Sequence, residues 1–231
     1  MSPDRREGHR RTAFDDAGFA QLPGVLTAGQ CDDVTAALEA AGDRTGSRNL
    51  LDLPWCRDLA IALKAHAELE RLLPSGAVAV QCTLFDKSPD RNWLVAPHQD
   101  LSIPVQERVP HPECVGWSEK EGVLYVQPPV SVLESLVAAR AHLDDCGSDN
   151  GPLRIVPGSH RRGRLSADAA KVLRQQSGEV DCLARRGDVL VIRPLLLHSS
   201  SKASAKGRRR VLHFLFGPPE LTCGLRWHHA V

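Results

Sequence analysis

The chain predicts a mainly β fold with flanking helices, arranged as a double-sheet jelly roll. Three observations lead there: short β-compatible runs recur from Ala77 onward, turn residues separate them, and two stretches of helical periodicity precede Ala77.

Taken in order, Thr27-Ala28-Gly29-Gln30 has the pattern of a capping box, and Cys31, Val34, Leu38 and Ala41 follow at helical spacing until Gly42. Leu59, Leu63, Leu69, Leu72 and Leu73 predict a second helical stretch, ended by Pro74 and Gly76. The run Ala77 to Phe85 reads as a strand. Further strands are expected over Asp100 to Val105, Leu136 to Leu143, Leu153 to Val156, Val189 to Ile192 and Val211 to Phe216. Asp149-Asn150-Gly151-Pro152, Pro157-Gly158 and Arg186-Gly187-Asp188 mark turns. The stretch Gln106 to Pro129, rich in Pro, Gly and charge, is expected to be a functional lid or binding loop, with Trp117 and Tyr125 available for specificity.

The 231 residues, 42% of them hydrophobic, suffice for one buried core, so a single domain is expected over 14–231 after a flexible N-terminus over 1–13. A net charge of +1 and short basic runs argue against a nucleic-acid partner. Seven cysteines, an odd number without a CxxC, predict neither a disulfide framework nor a thiol zinc site, which favours a reducing cytoplasm. No run approaches the roughly twenty apolar residues that span a bilayer, and Met1 to Arg11 lacks the apolar stretch of a signal peptide.

A histidine two positions before an acid, completed by a distant histidine, is the donor set that holds non-haem Fe(II) on one face and leaves the opposite face open. Four such pairs occur, against about one expected by chance from this composition. His66/Glu68 falls in a helical stretch, where residues two apart diverge, and His111/Glu113 straddles Pro112 in the expected loop. His142/Asp144 and His98/Asp100 both have strand parity. Geometry leaves these two open.

A resemblance separates them. His98-Gln99-Asp100, Leu143-Asp144-Asp145, the run Asn150-Gly151-Pro152-Leu153-Arg154-Ile155-Val156-Pro157-Gly158-Ser159-His160, Arg186-Gly187-Asp188-Val189, Leu197-His198-Ser199-Ser200 and Arg208-Arg209-Arg210-Val211-Leu212 stand in order along the chain. With Gly18-Phe19 and Leu22-Pro23-Gly24 near the start, the sequence resembles the phytanoyl-CoA dioxygenase branch of the Fe(II)/2-oxoglutarate oxygenases over about Phe14 to Pro218. The resemblance implies a cupin-like double-stranded β-helix and a dioxygenase using Fe(II), 2-oxoglutarate and O2, oxidising a small organic substrate with release of succinate and CO2.

The resemblance also implies roles. His98, Asp100 and His198 would hold iron, with His142 and His160 structural. Arg209, eleven positions after His198, would pair with the C5 carboxylate of 2-oxoglutarate, helped by Ser200, Thr83 and Lys87. Strand alternation then turns Arg208 and Arg210 outward as solvated charges. Gln81 and Trp117 are candidates for substrate contact. So is Arg140, which stands where many members carry an aromatic residue; turned inward it would add a second anion site, and turned outward it would make a surface salt bridge. Two other classes share the same features: a jelly roll that binds metal or ligand without turnover, and a zinc-type hydrolase or isomerase in the same pocket.

Overall fold

Strand β7 (Val137–His142) is buried at all six positions, so both of its faces must meet other layers. Val137, Ala139 and Ala141 turn one way and join a cluster with helical residues; Ala138, Arg140 and His142 turn the other way, toward a second sheet. The fold of this protein, a computed structural model describing residues 11–42, 44–204 and 207–231, is built outward from that strand.

A helix over 11–17 and strand β1 (Phe19–Leu22) precede helices α1 (Ala28–Ala40), α2 (Pro54–Lys64) and α3 (Ala67–Glu70). In α1 the Thr27 side chain accepts from Gln30 N while Gln30 Oε1 accepts from Thr27 N, closing the expected capping box. Cys56, Leu59, Ala60 and Leu63 give α2 one buried stripe at three- and four-residue spacing, each buried leucine contributing about 1.5–3 kcal/mol. The second helical stretch is two helices, parted where Ala65 caps α2 and His66 takes an extended conformation before α3. The expected flexible N-terminus falls in 1–10 outside the described residues, whereas 11–13 lie in the first helix, where Arg11 donates to Arg71 O and pairs with Asp15.

The remaining strands are β2 (Val78–Lys87), β3 (Val95–His98), β4 (Ile103–Val105), β5 (Val115–Lys120), β6 (Val123–Gln127), β8 (Leu153–Ile155), β9 (Val180–Cys182), β10 (Val189–Ile192), β11 (His198–Ser200) and β12 (Arg209–Gly217). A five-stranded sheet runs β1-β10-β7-β12-β2 and a four-stranded sheet β3-β11-β8-β9, with a short helix α4 (Val130–Glu134) before β7 and α5 (Ala167–Ser177) after β8. Val80, Ala138, Leu190 and Leu215 of the first sheet pack with Leu153, Ile155 and Cys182 of the second, and α1 to α3 cover the outer face of the first. That is a jelly roll with helices on one side.

Two expectations change. His98 ends a strand, β3, and the strand predicted from Asp100 begins only at Ile103. The expected loop from Gln106 to Pro129 contains the hairpin β5–β6, which with β4 forms a three-stranded sheet. Its turn residue Glu121 accepts from Ser47 Oγ and Arg48 N, which ties the hairpin to the segment before the 3-10 turn Leu50–Asp52. The alternation of Val115, Trp117, Leu124 and Val126 was masked by the surrounding Pro, Gly and charge.

Candidate metal centre and cavity

His98 and His198 face each other across the antiparallel β3–β11 pair, and Asp100 follows His98 by two residues. The three side chains form the group among the described residues that could hold a metal ion, with donor atoms all within 4.8 Å of one another. Asp100 Oδ1 lies 3.7 Å from His98 Nε2 and Asp100 Oδ2 lies 3.8 Å from His198 Nε2. Each ring donates Nδ1–H to the carbonyl two residues back in its own strand, His98 to Ala96 O at 2.9 Å and His198 to Leu196 O at 2.8 Å. That fixes the tautomer with a free Nε2 lone pair, the form a metal takes. The donor set suits Fe(II).

Gln99 between the ligands turns the opposite way and is buried. Its Nε2 donates to Leu195 O and Gly163 O, and its Oε1 accepts from Leu165 N, while Asp100 N donates to Pro194 O. These bonds hold irregular backbone still beneath two of the three ligands. Desolvation raises the Asp100 carboxyl, but the imidazoles of His198, His98 and His213 outweigh it and hold it below its ordinary range. Desolvation pushes His198 down to about 4, so it is neutral and open to metal at physiological pH. For His98, desolvation is outweighed by the bond and charge of Asp100, and its pKa is raised.

The ligands border a cavity of about 460 Å3 between the sheets. Arg209 lines it on β12, 3% exposed, donating through Nη1 to Gly151 O, with Nε unpartnered. Its register partner Lys87 on β2 donates to Ser200 Oγ at 3.1 Å and Ser201 O at 2.7 Å. Desolvation, then the charge of Arg209, lowers Lys87 to about 8. Lys87, Ser200 and Arg209 are thus brought together on the same cavity wall. Gly151 is required there: its φ is +69°, and a Cβ would meet Ser201 O at 2.5 Å.

Thr83, whose Oγ1 accepts from Gln81 Nε2 at 2.9 Å, and Gln81, whose Oε1 is unpartnered, also line the cavity. Arg140 turns inward, 6% exposed, rather than to a surface salt bridge. Trp117 does not line it. Three residues from Lys120, which does, it falls on the other face of β5, where its indole donates to Cys114 O and Arg108 lies over the ring. The hairpin reaches the cavity through Lys120, Tyr125 and Gln127 instead.

The competing pair His142/Asp144 is split because β7 ends at His142. His142 stays between the sheets, lowered to about 4 by burial and then Arg140, while Asp144 turns out to a bidentate bond with Arg210 at 2.9 and 2.7 Å. Arg208 pairs with the buried Asp86. Both outer arginines are therefore ion-paired, not merely solvated. His160 donates from Nε2 to Asp15 O at 3.0 Å in the helix over 11–17, away from the cavity.

Sequence reasoning missed His213. It shares strand parity with Arg209, the signal that could have found it, and its Nε2 lies 3.8 Å from Asp100 Oδ2. Arg140 Nη1 bonds His213 Nδ1 at 2.9 Å, and since arginine only donates, the His213 proton sits on Nε2. Burial, then Arg140, lowers His213 to about 3 and keeps it neutral.

The family model for phytanoyl-CoA dioxygenase (PhyH) matches residues 14–211. The chain belongs to the PhyH family. Among solved structures, this PhyH-family chain is similar to the epimerase SnoN in complex with Fe3+, alpha ketoglutarate and nogalamycin RO, with TM-score 0.69 and 18% identity over 93% of this chain and 84% of that one. It is also similar to HygX from Streptomyces hygroscopicus with nickel and 2-oxoglutarate bound, with TM-score 0.63 and 22% identity over 96% of this chain and 88% of that one. The carbocyclase SnoK from nogalamycin biosynthesis gives TM-score 0.66 and 18% identity over 97% of this chain and 89% of that one. These likenesses place the PhyH chain's fold among non-haem 2-oxoglutarate enzymes. No curated protein sequence matches it. Among the described residues no helix is long and apolar enough to cross a membrane.

Proposed function

We propose that the protein is an Fe(II)- and 2-oxoglutarate-dependent oxygenase acting on a small organic molecule, formed by one domain spanning 14–231 and working in the cytoplasm. The observation that carries this reading is the convergence, in one cavity, of two pre-oriented Nε2 atoms and a carboxylate with a cationic pair, Lys87 and Arg209, that has no acid partner among the described residues.

His98, Asp100 and His198 would hold the iron. When bound with its cosubstrate, iron supplies O2 activation coupled to decarboxylation to succinate and CO2. The chain's residues do the rest. Arg209 Nε and Nη groups receive the C5 carboxylate, Lys87 adds charge and Ser200 Oγ a hydrogen bond, which orients the cosubstrate's other end toward the ligands. Thr83 Oγ1 lies along the same wall and Gln81 Oε1 offers an acceptor to a substrate hydroxyl or amine. The hairpin β5–β6, anchored by Glu121, helps to enclose the cavity and keep water from the reacting centre.

The test is O2 uptake with succinate formation in the presence of Fe(II) and 2-oxoglutarate. Coupled consumption that disappears in His198→Ala supports the reading. Metal binding without 2-oxoglutarate turnover, or zinc-supported hydrolysis or isomerisation with no O2 uptake, would replace it with one of the other two classes.

A further inference from the structure

The wall of the cavity carries Arg48, Lys87, Lys120, Arg140 and Arg209, and among the described residues its one acid is Asp100. Arg48 lies near Glu121 at 3.7 Å, but Lys87, Arg140 and Arg209 have no carboxylate within 4.0 Å among the described residues. Arg140 is the most isolated. It sits under Phe85, spends one Nη on His213, and leaves a buried Nε with no partner. Desolvation, then the charge of Arg209, lowers it only to about 10, so it stays charged. A buried guanidinium without a counter-charge is costly, and its cost falls when an anion binds.

We infer that the substrate is an anion whose carboxylate-like group is received by Arg140, with Lys120 and Arg48 drawing it in along the cavity wall. This rests on the oxygenase reading above. A divalent metal and the dianionic cosubstrate cancel each other, so the surplus on the wall, three positive charges once Asp100 and the Glu121 beside Arg48 are set against its five cations, persists when both are bound. Arg209, Lys87 and Ser200 already account for one carboxylate of 2-oxoglutarate and the metal for the other. Arg140 stands opposite His213, four residues along β12 from Arg209, about 13 Å away at backbone level. The two charges still act on each other across the cavity, and it is the bond of Arg140 to His213, beside Asp100, that assigns Arg140 to a different group. His213, held with its proton on Nε2, marks the metal-proximal edge of this subsite, so an acid bound at Arg140 places its neighbouring carbons beside the reacting centre. A surplus of one sign in a low-dielectric cleft also raises the local concentration of the opposite charge and selects against neutral and cationic analogues.

The test uses the full chain loaded anaerobically with Mn(II) and saturating 2-oxoglutarate, with hexanoate and its neutral isostere hexanamide as probes. Proton relaxation by the metal reports which probe enters. Hexanoate should be relaxed about fivefold or more beyond hexanamide, with the preference lost in Arg140→Gln and kept in Arg140→Lys. Equal relaxation of acid and amide in the wild-type protein overturns the inference whether or not any variant folds, as does an unchanged preference in Arg140→Gln. Calorimetry on the same samples separates the two carboxylate sources. Arg140→Gln should change the 2-oxoglutarate Kd by less than about threefold, and a loss of tenfold or more would assign Arg140 to the cosubstrate and overturn the proposal. Wild-type protein that binds neither Mn(II) nor 2-oxoglutarate overturns the oxygenase reading itself, which shows before any probe is added.

Discussion

His98 and His198 are cross-strand partners, and each secures its ring in the same way, by giving Nδ1–H to the carbonyl two residues behind it. The pair is consequently a rigid two-nitrogen clamp before any metal arrives. His98→Ala or His198→Ala should abolish stoichiometric Co(II) binding, measured by the visible absorption of the bound ion. His142→Ala, which removes a ring outside the cavity, should keep it. Retained Co(II) absorption in His98→Ala with loss in His142→Ala would sink the ligand assignment.

Arg209 and Arg208 are neighbours in sequence and opposites in the fold. Arg209→Ala should raise the Kd for 2-oxoglutarate tenfold or more, since losing one side of a desolvated charge pair costs about 2–5 kcal/mol. Arg208→Ala should leave that Kd unchanged and instead lower Tm, because Asp86, 4% exposed, loses two charged hydrogen bonds worth about 1.5–3 kcal/mol each. Calorimetry and thermal melts on the two variants check this together; equal Kd changes would mean that the strand alternation has been misread.

Lys87 gives the cosubstrate site a pH dependence. Its pKa in the ligand-free protein is lowered to about 8, so the ammonium is present below that pH and lost above it. Binding of a carboxylate favours the charged form, so the pKa rises in the complex. The expected profile in 2-oxoglutarate is a fall in kcat/KM above about pH 8, with the matching fall in kcat displaced to higher pH. Lys87→Met should flatten the limb as well as weaken binding, and a limb that survives in Lys87→Met belongs to another group.

Gly151 should not tolerate alanine. The added Cβ meets Ser201 O at 2.5 Å at a φ of +69°, and the Gly151 carbonyl is the one that receives Arg209. Gly151→Ala should lower Tm and weaken 2-oxoglutarate together, with strain of about 1–3 kcal/mol from the backbone alone. Wild-type affinity in a folded Gly151→Ala protein would show that Arg209 does not depend on this turn.

Much of the frame was legible because its signals are local. The Thr27 capping box and the turn at Asn150-Gly151 are set by hydrogen bonds and φ preferences within a few residues, and the strands around Val189 to Ile192 and Leu153 to Ile155 show in short apolar, β-branched runs. The parity of Arg208, Arg209 and Arg210 was legible for the same reason. The hairpin Val115–Lys120 with Val123–Gln127 was not, since Pro, Gly and charge around it hide a short alternation, and Trp117 was consequently assigned to a surface it does not face.

The sequence by itself determined the donor types, their order along the chain and the face of the strand on which Arg209 stands, because residue chemistry and two-residue alternation need no long-range information. Only the tertiary structure decided that His142 and Asp144 part company at the end of β7. It also decided that Arg140 turns inward onto His213, and that His213 lies beside Asp100. Those outcomes depend on which strands become neighbours and in what register. The pairing of β12 with β7 sets that register, through contacts between segments some seventy residues apart.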